Sequence, residues 1–277
     1  MANETIDHFL WYRLDKTGYP EEPAAWSTGY LPHIYTGYLT FPPYTNKPDF
    51  CPVEYTFAKD YKAFLLLSRP AETSVLFSVI SAVGSARPDV INVIKNHSAL
   101  IEKELLQSKR ISLFDIEKAM QDYDVTHPKP TGEIEPLQIT SSTRSILEYA
   151  QQKGGLKSSL YKYTTTAVAN HLMASPSNNI NLLCSQLNSH ARLKIAAFLA
   201  ELLEYDCKAT QISFTTEAPS PNYNDFFRLA VTQNGIYLPK NKEKWFTLDC
   251  STQGDSASLK KVANKDEVYK KIASVYS

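Results

Sequence analysis

Seven prolines and thirteen aromatic rings crowd residues 11–61, and no other feature limits the folding of this chain as strongly. Each proline removes a backbone donor and restricts the residue before it, so helix is excluded over most of this stretch. Turns and short extended pieces are predicted instead. Thr-Gly-Tyr recurs at 17–19, 28–30 and 36–38 with unequal spacing, which marks repeated turns and not a repeat architecture. The β-branched and aromatic content of His33–Phe41 and Val53–Leu67 predicts strands, the second broken by a turn near Lys59-Asp60.

Beyond Pro70 the pattern reads as helical. Pro70 suits a first helical turn and Gly84 a terminator, giving a helix to about Val83, and Pro88 opens the next. Leu113, Ile116, Met120 and Tyr123 fall on one helical face, with Ser112 and Asp115 as an N-terminal cap and first-turn acid. Three prolines and Gly132 between His127 and Pro136 suggest a lobe boundary. Further helices are predicted over Ser142–Lys153, Lys157–Ala174 and Asn179–Tyr205. The last carries an apolar stripe from Leu183 to Leu202 and a kink near Asn188-Ser189.

After Cys207 the period shortens to two. Strands are predicted at Gln211–Thr216, Phe227–Thr232, Gly235–Leu238 and Trp245–Cys250, with Asn234-Gly235 as a hairpin turn. An amphipathic helix containing Leu259, Val262 and Tyr269 closes the chain. The resulting fold class is α+β: a mainly helical body, an N-terminal proline- and aromatic-rich extended region, and a C-terminal β-hairpin or small antiparallel sheet. Its parts are residues 1–127 and a helical lobe of residues 137–277, or one continuous domain.

Charge narrows the function classes. Lys+Arg and Asp+Glu balance at 29 each, so no overall field draws in a polyanion. Residues 240–277 hold eight lysines against five acids, and Lys260, Lys261, Lys270 and Lys271 could contact phosphates. The aromatics there share the apolar phase, so a solvated lysine face over a packed core is preferred and nucleic-acid binding is disfavoured. Cys51, Cys184, Cys207 and Cys250 are widely spaced, consistent with reduced thiols and a cytoplasmic setting. No export signal and no membrane insertion are predicted, because charges interrupt the first 30 residues and apolar runs are short.

Chemistry-bearing motifs are sparse. There is no GxGxxG and no GxxxxGK[ST], and Gly154-Gly155 before Lys157 reads as a helix terminator. The six histidines show neither HExxH nor HxH, so neither metal nor cofactor is predicted. Asp122-Tyr123-Asp124 reads as a solvated helix end. Cys184 precedes His190 by six positions, a rotation of about 240° on a helix, so they do not share a face. Cys184 is expected in the core, and His171, Cys184 and His190 are the residues an enzyme would assemble only in the fold.

The leading expectation is a non-enzymatic interaction protein, regulatory or accessory, that binds a protein partner through Trp26, Tyr30, Tyr35, Tyr38 and Tyr44. Tyrosine and tryptophan join a large apolar area to a polar handle, and proline-rich segments are partly ordered before binding. The competing expectation is that these rings fill the protein's own interior.

Overall fold

The computed structural model describes residues 3–13, 23–27, 62–68, 72–83, 93–108, 110–140, 179–184, 187–206, 213–216, 228–232 and 245–249. The chain divides into two units, Met1–Leu67 with Ala71–Arg144, and Ser68–Pro70 with Ser145–Ser277.

The first unit is built on strand β1, Asn3–Arg13, in which Ile6, His8 and Leu10 alternate with Asp7, Phe9 and Trp11. A side-chain period of two places the two sets on opposite faces of a sheet. Strand β2, Ala25–Trp26, pairs with it antiparallel. Strand β3 is Lys62–Ser68, all but its last residue in this unit, and β4 is Ser74–Val83. β5, Val93–Glu102, lies antiparallel between β4 and β1. Helix α1, Lys103–Gln107, follows directly, and α2, Leu113–Thr126, comes next. The chain then returns as β6, Gly132–Glu133, parallel to β2, and β7, Leu137–Thr140, antiparallel to the start of β1. The strand path is β3-β4-β5-β1-β2-β6, with β7 on β1.

The helix expected over 70–83 is strand β4, and the segment after Pro88 that was expected to be helical contains strand β5. Val75 to Ile80 are all buried, so β4 is covered on both faces and its apolar residues run on without the alternation that marks a half-exposed strand. The discriminating signal was β-branching at Val75, Val79 and Ile80. Phe64 and Phe77 stack with centroids 6.3 Å apart inside this core. Each such buried ring contributes roughly 2–3 kcal/mol. Helix α2 forms where the sequence placed it. Ser112 Oγ accepts from the Asp115 N–H at 3.2 Å while Asp115 Oδ2 accepts from the Ser112 N–H at 2.9 Å, satisfying a donor at each end of the box. Segment 127–136 lies inside the first unit.

In the second unit, β8, Asn179–Leu183, precedes helix α3, Ser189–Asp206. Strands β9, Phe214–Thr215, β10, Leu229–Thr232, and β11, Trp245–Asp249, follow. The order is β11-β8-β10-β9, and β8 pairs in parallel with β10 and β11, as β10 does with β9. The expected antiparallel C-terminal sheet is thus corrected among the described residues: β8 stands between β10 and β11 and pairs with each in parallel, while the second strand of the expected hairpin, Gly235–Leu238, lies outside the described residues. The single helix expected over Asn179–Tyr205 is a strand followed by a helix. Its suspected kink at Asn188-Ser189 is the helix start, where Asn188 Oδ1 accepts from the Ala191 N–H at 2.8 Å. With three helices among the described residues against eleven strands, the body is sheet-based and not mainly helical.

The strands expected at 33–41 and 53–61, the helices at 142–153 and 157–174, the turn at 234–235 and the closing amphipathic helix lie outside the described residues. No described helix is long and apolar enough to cross a membrane.

Candidate functional site

The register of β1 against β5 pairs His8 with Ala99, Leu10 with His97 and Tyr12 with Lys95. His8, His97 and Lys95 therefore share one face, and the two histidines are diagonal neighbours, within reach of each other's rings. Helix α2 presents Tyr123 and Asp124 near its C-terminal end to the same cluster.

Four groups form one hydrogen-bond chain. Asp124 Oδ1 lies 3.0 Å from His97 Nδ1, His97 Nε2 lies 2.8 Å from His8 Nδ1, and His8 Nε2 lies 2.9 Å from the Glu135 carbonyl oxygen. Lys95 pairs with the other Asp124 oxygen. Both histidines are fully buried. Tyr123 packs against His8 in a T-shaped arrangement with centroids 4.6 Å apart, and it stacks on His127 at 4.2 Å.

The backbone explains why His8 stands there. Between β6 and β7 the chain steps from the flank of β2 to the flank of β1. The Ile134 N–H still donates to the Trp26 carbonyl, and Leu137 already pairs with Ile6. Between them, the Glu135 carbonyl turns inward, and a buried carbonyl needs a donor. The His8 ring meets it. On the far side of the step, Ser27 Oγ accepts from the His8 N–H at 2.7 Å and donates to Asp7 at 3.1 Å.

Electrostatics follow from this enclosure. Burial, the largest influence, lowers the His8 pKa to about 4, opposed by the Glu135 carbonyl and helped by the proximity of His97. Burial likewise lowers that of His97, against the pull of Asp124. Burial alone would raise the Asp124 carboxyl, but the His97 hydrogen bond and the Lys95 charge outweigh it and hold it below the usual carboxylate range. Desolvation, reinforced by Asp124 and Tyr123, pushes the Tyr12 phenol up to about 12. The chain can hold and share a proton, but both its ends are acceptors: a carboxylate and a main-chain carbonyl.

Beside the cluster lies an open groove of about 1100 Å³ between α2 and the β6–β7 segment. Tyr123 and His127 line it from α2 and its C-cap, Glu133, Glu135 and Leu137 from the β6–β7 segment, and Ser27 also lines it.

Of the residues singled out in sequence, Trp26 sits in β2, half-buried, while its neighbour Ala25 is fully buried. Tyr30, Tyr35, Tyr38, Tyr44, His171 and Lys260 to Lys271 lie outside the described residues. Cys184 is buried just after β8, as expected, with its N–H on the Thr232 carbonyl, while His190 is exposed in the first turn of α3. Among the described residues no group of three or more histidine, cysteine or acidic side chains is placed to hold a metal. Asp124, read as part of a solvated helix end, is instead tied to His97 and Lys95. Sequence reasoning missed His8 and His97 altogether, because they lie 89 positions apart in no motif. The available signal was Lys95-x-His97, a spacing that a strand places on one face.

Fold and site define a protein of two sheet-based units, one mixed and largely antiparallel with a buried histidine pair, the other parallel in its pairings. No family model matches the chain, and neither a curated protein nor a solved structure does.

Proposed function

We propose that this protein is a non-enzymatic interaction factor, regulatory or accessory, which binds a protein partner through an aromatic surface that includes Trp26. The observation that supports this reading is the setting of Trp26 itself. Its backbone is fixed by Phe9 on one side and Glu133 on the other, yet the residue is only half-buried. A large ring on an ordered backbone loses little entropy when a partner covers it, which is the character of an interface anchor. Groove residues Ser27 and Glu133, the chain and register neighbours of Trp26, offer a polar rim beside it. Tyr30, Tyr35, Tyr38 and Tyr44 carry the same chemistry in sequence and belong to the proposal on that ground. The histidine chain favours binding over catalysis, since its terminal acceptor is a main-chain carbonyl that passes no proton to a substrate. The setting proposed is the cytoplasm, on the wide spacing of the four cysteines.

The test is affinity purification of the full chain from its native host, beside Trp26→Ala. The reading expects one partner to co-purify with the parent chain and to be lost from the variant at unchanged melting temperature. A variant that keeps the partner, or one that loses several degrees of stability, assigns Trp26 to the interior instead.

A further inference from the structure

The outer nitrogens of the histidine pair face groups that can only accept: the Asp124 carboxylate and the Glu135 carbonyl. Both outer positions therefore call for an N–H, which leaves His97 Nε2 and His8 Nδ1 as two lone pairs 2.8 Å apart. Three links need three protons, and two neutral imidazoles carry two. One link is always short in the neutral pair. Asp124 is charged and already holds His97, so the link that gives way is on the His8 side. If His8 places its proton on Nδ1, its bare Nε2 opposes the Glu135 oxygen at 2.9 Å. If it keeps the proton on Nε2, the inner lone pairs collide.

We propose that His8 and His97 form a two-histidine proton switch: uptake of one proton completes all three links and fastens the Glu135 carbonyl to β1, setting the wall of the adjoining groove. The proton comes from solvent and is shared by the inner nitrogens, with Asp124 as its counter-charge. No bond between heavy atoms changes. The groups that set its threshold come from each packed element. β5 contributes Lys95, and α2 contributes Asp124 with His127 at its C-terminal cap; Tyr123 packs on both rings and Tyr12 shares the His8 face of β1, whereas Asp7 lies on the opposite face. From β6–β7 only the Glu135 main chain faces the pair, its carboxylate being exposed. Burial and Lys95 oppose uptake and Asp124 favours it, so the switch operates on the acid side of an ordinary histidine. This goes beyond the interaction reading and is tested on the protein alone.

The experiment follows imidazole nitrogen and backbone amide NMR signals of the full chain during acidification from neutral pH. His8 and His97 are expected to report one shared step, with the Ile134 and Leu137 amides shifting at the same midpoint. In His8→Gln the side-chain amide donates to the Glu135 carbonyl at every pH, so those amide shifts should vanish while the β4–β5 signals remain native. Independent titration of the two rings, amides that do not follow the step, or amides that still respond in His8→Gln overturn the proposal. So does unfolding before any shared step is seen.

Discussion

His8 Nδ1 and His97 Nε2 lie 2.8 Å apart although the other nitrogen of each ring already faces an acceptor. This pair makes stability depend on pH in a definite direction. The folded pKa of His8 is lowered to about 4 and that of His97 also falls below 6.5, the ordinary value that both regain on unfolding. Between those values the unfolded chain binds more protons, so stability is full above 6.5 and is lost as pH drops towards 4. Asp124, held below its ordinary value, adds a further loss at lower pH. Urea midpoints across a pH series should fall with acid, and His8→Gln should flatten the upper part of the curve.

Asp124→Ala removes the acceptor shared by His97 and Lys95. The expected loss is about 2–3 kcal/mol, the range for a charge-assisted bond with a buried partner. It falls short of a wholly buried pair because Asp124 keeps 21% of its side-chain exposure. Lys95→Met should cost less, since His97 still holds the carboxylate. Chemical denaturation of both variants checks the order.

Ser112→Ala breaks the capping box of α2 and is expected to cost about 1 kcal/mol. Val125→Ser, on the same helix but 81% exposed, should stay within about 0.5 kcal/mol of the parent. Denaturant midpoints of the two variants separate a cap effect from a general effect on the helix.

In the second unit, Thr232 Oγ1 donates to Asn181 Oδ1 at 3.0 Å, and both residues are buried. Thr232→Val keeps the shape and strands the acceptor, so a loss of roughly 1–3 kcal/mol is expected. Equilibrium unfolding measures it, and a neutral result would show that Asn181 finds another donor.

Partial legibility of this fold follows from the range of each signal. Helix α2 was readable because its cap and its apolar face are both fixed within a few residues. Strands β9, β10 and β11 were readable from local period and β-branching. Their parallel arrangement around β8 was not, since strand pairing is chosen by partners far along the chain. β4 was misread because full burial erased the alternation that separates strand from helix. Of the candidate site, Trp26 was named in sequence and its half-buried place in β2 was not.

By itself the sequence determined where local rules act: the capping of α2, the burial of Cys184 and the short strands β9, β10 and β11. Only the tertiary structure decided that β1 lies beside β5, and with that register came the meeting of His8 and His97 under Asp124. The reason is physical: caps and periodicity depend on neighbours in the chain, whereas a buried polar pair is specified by which strands bring their faces together and by which carbonyl is left without a donor.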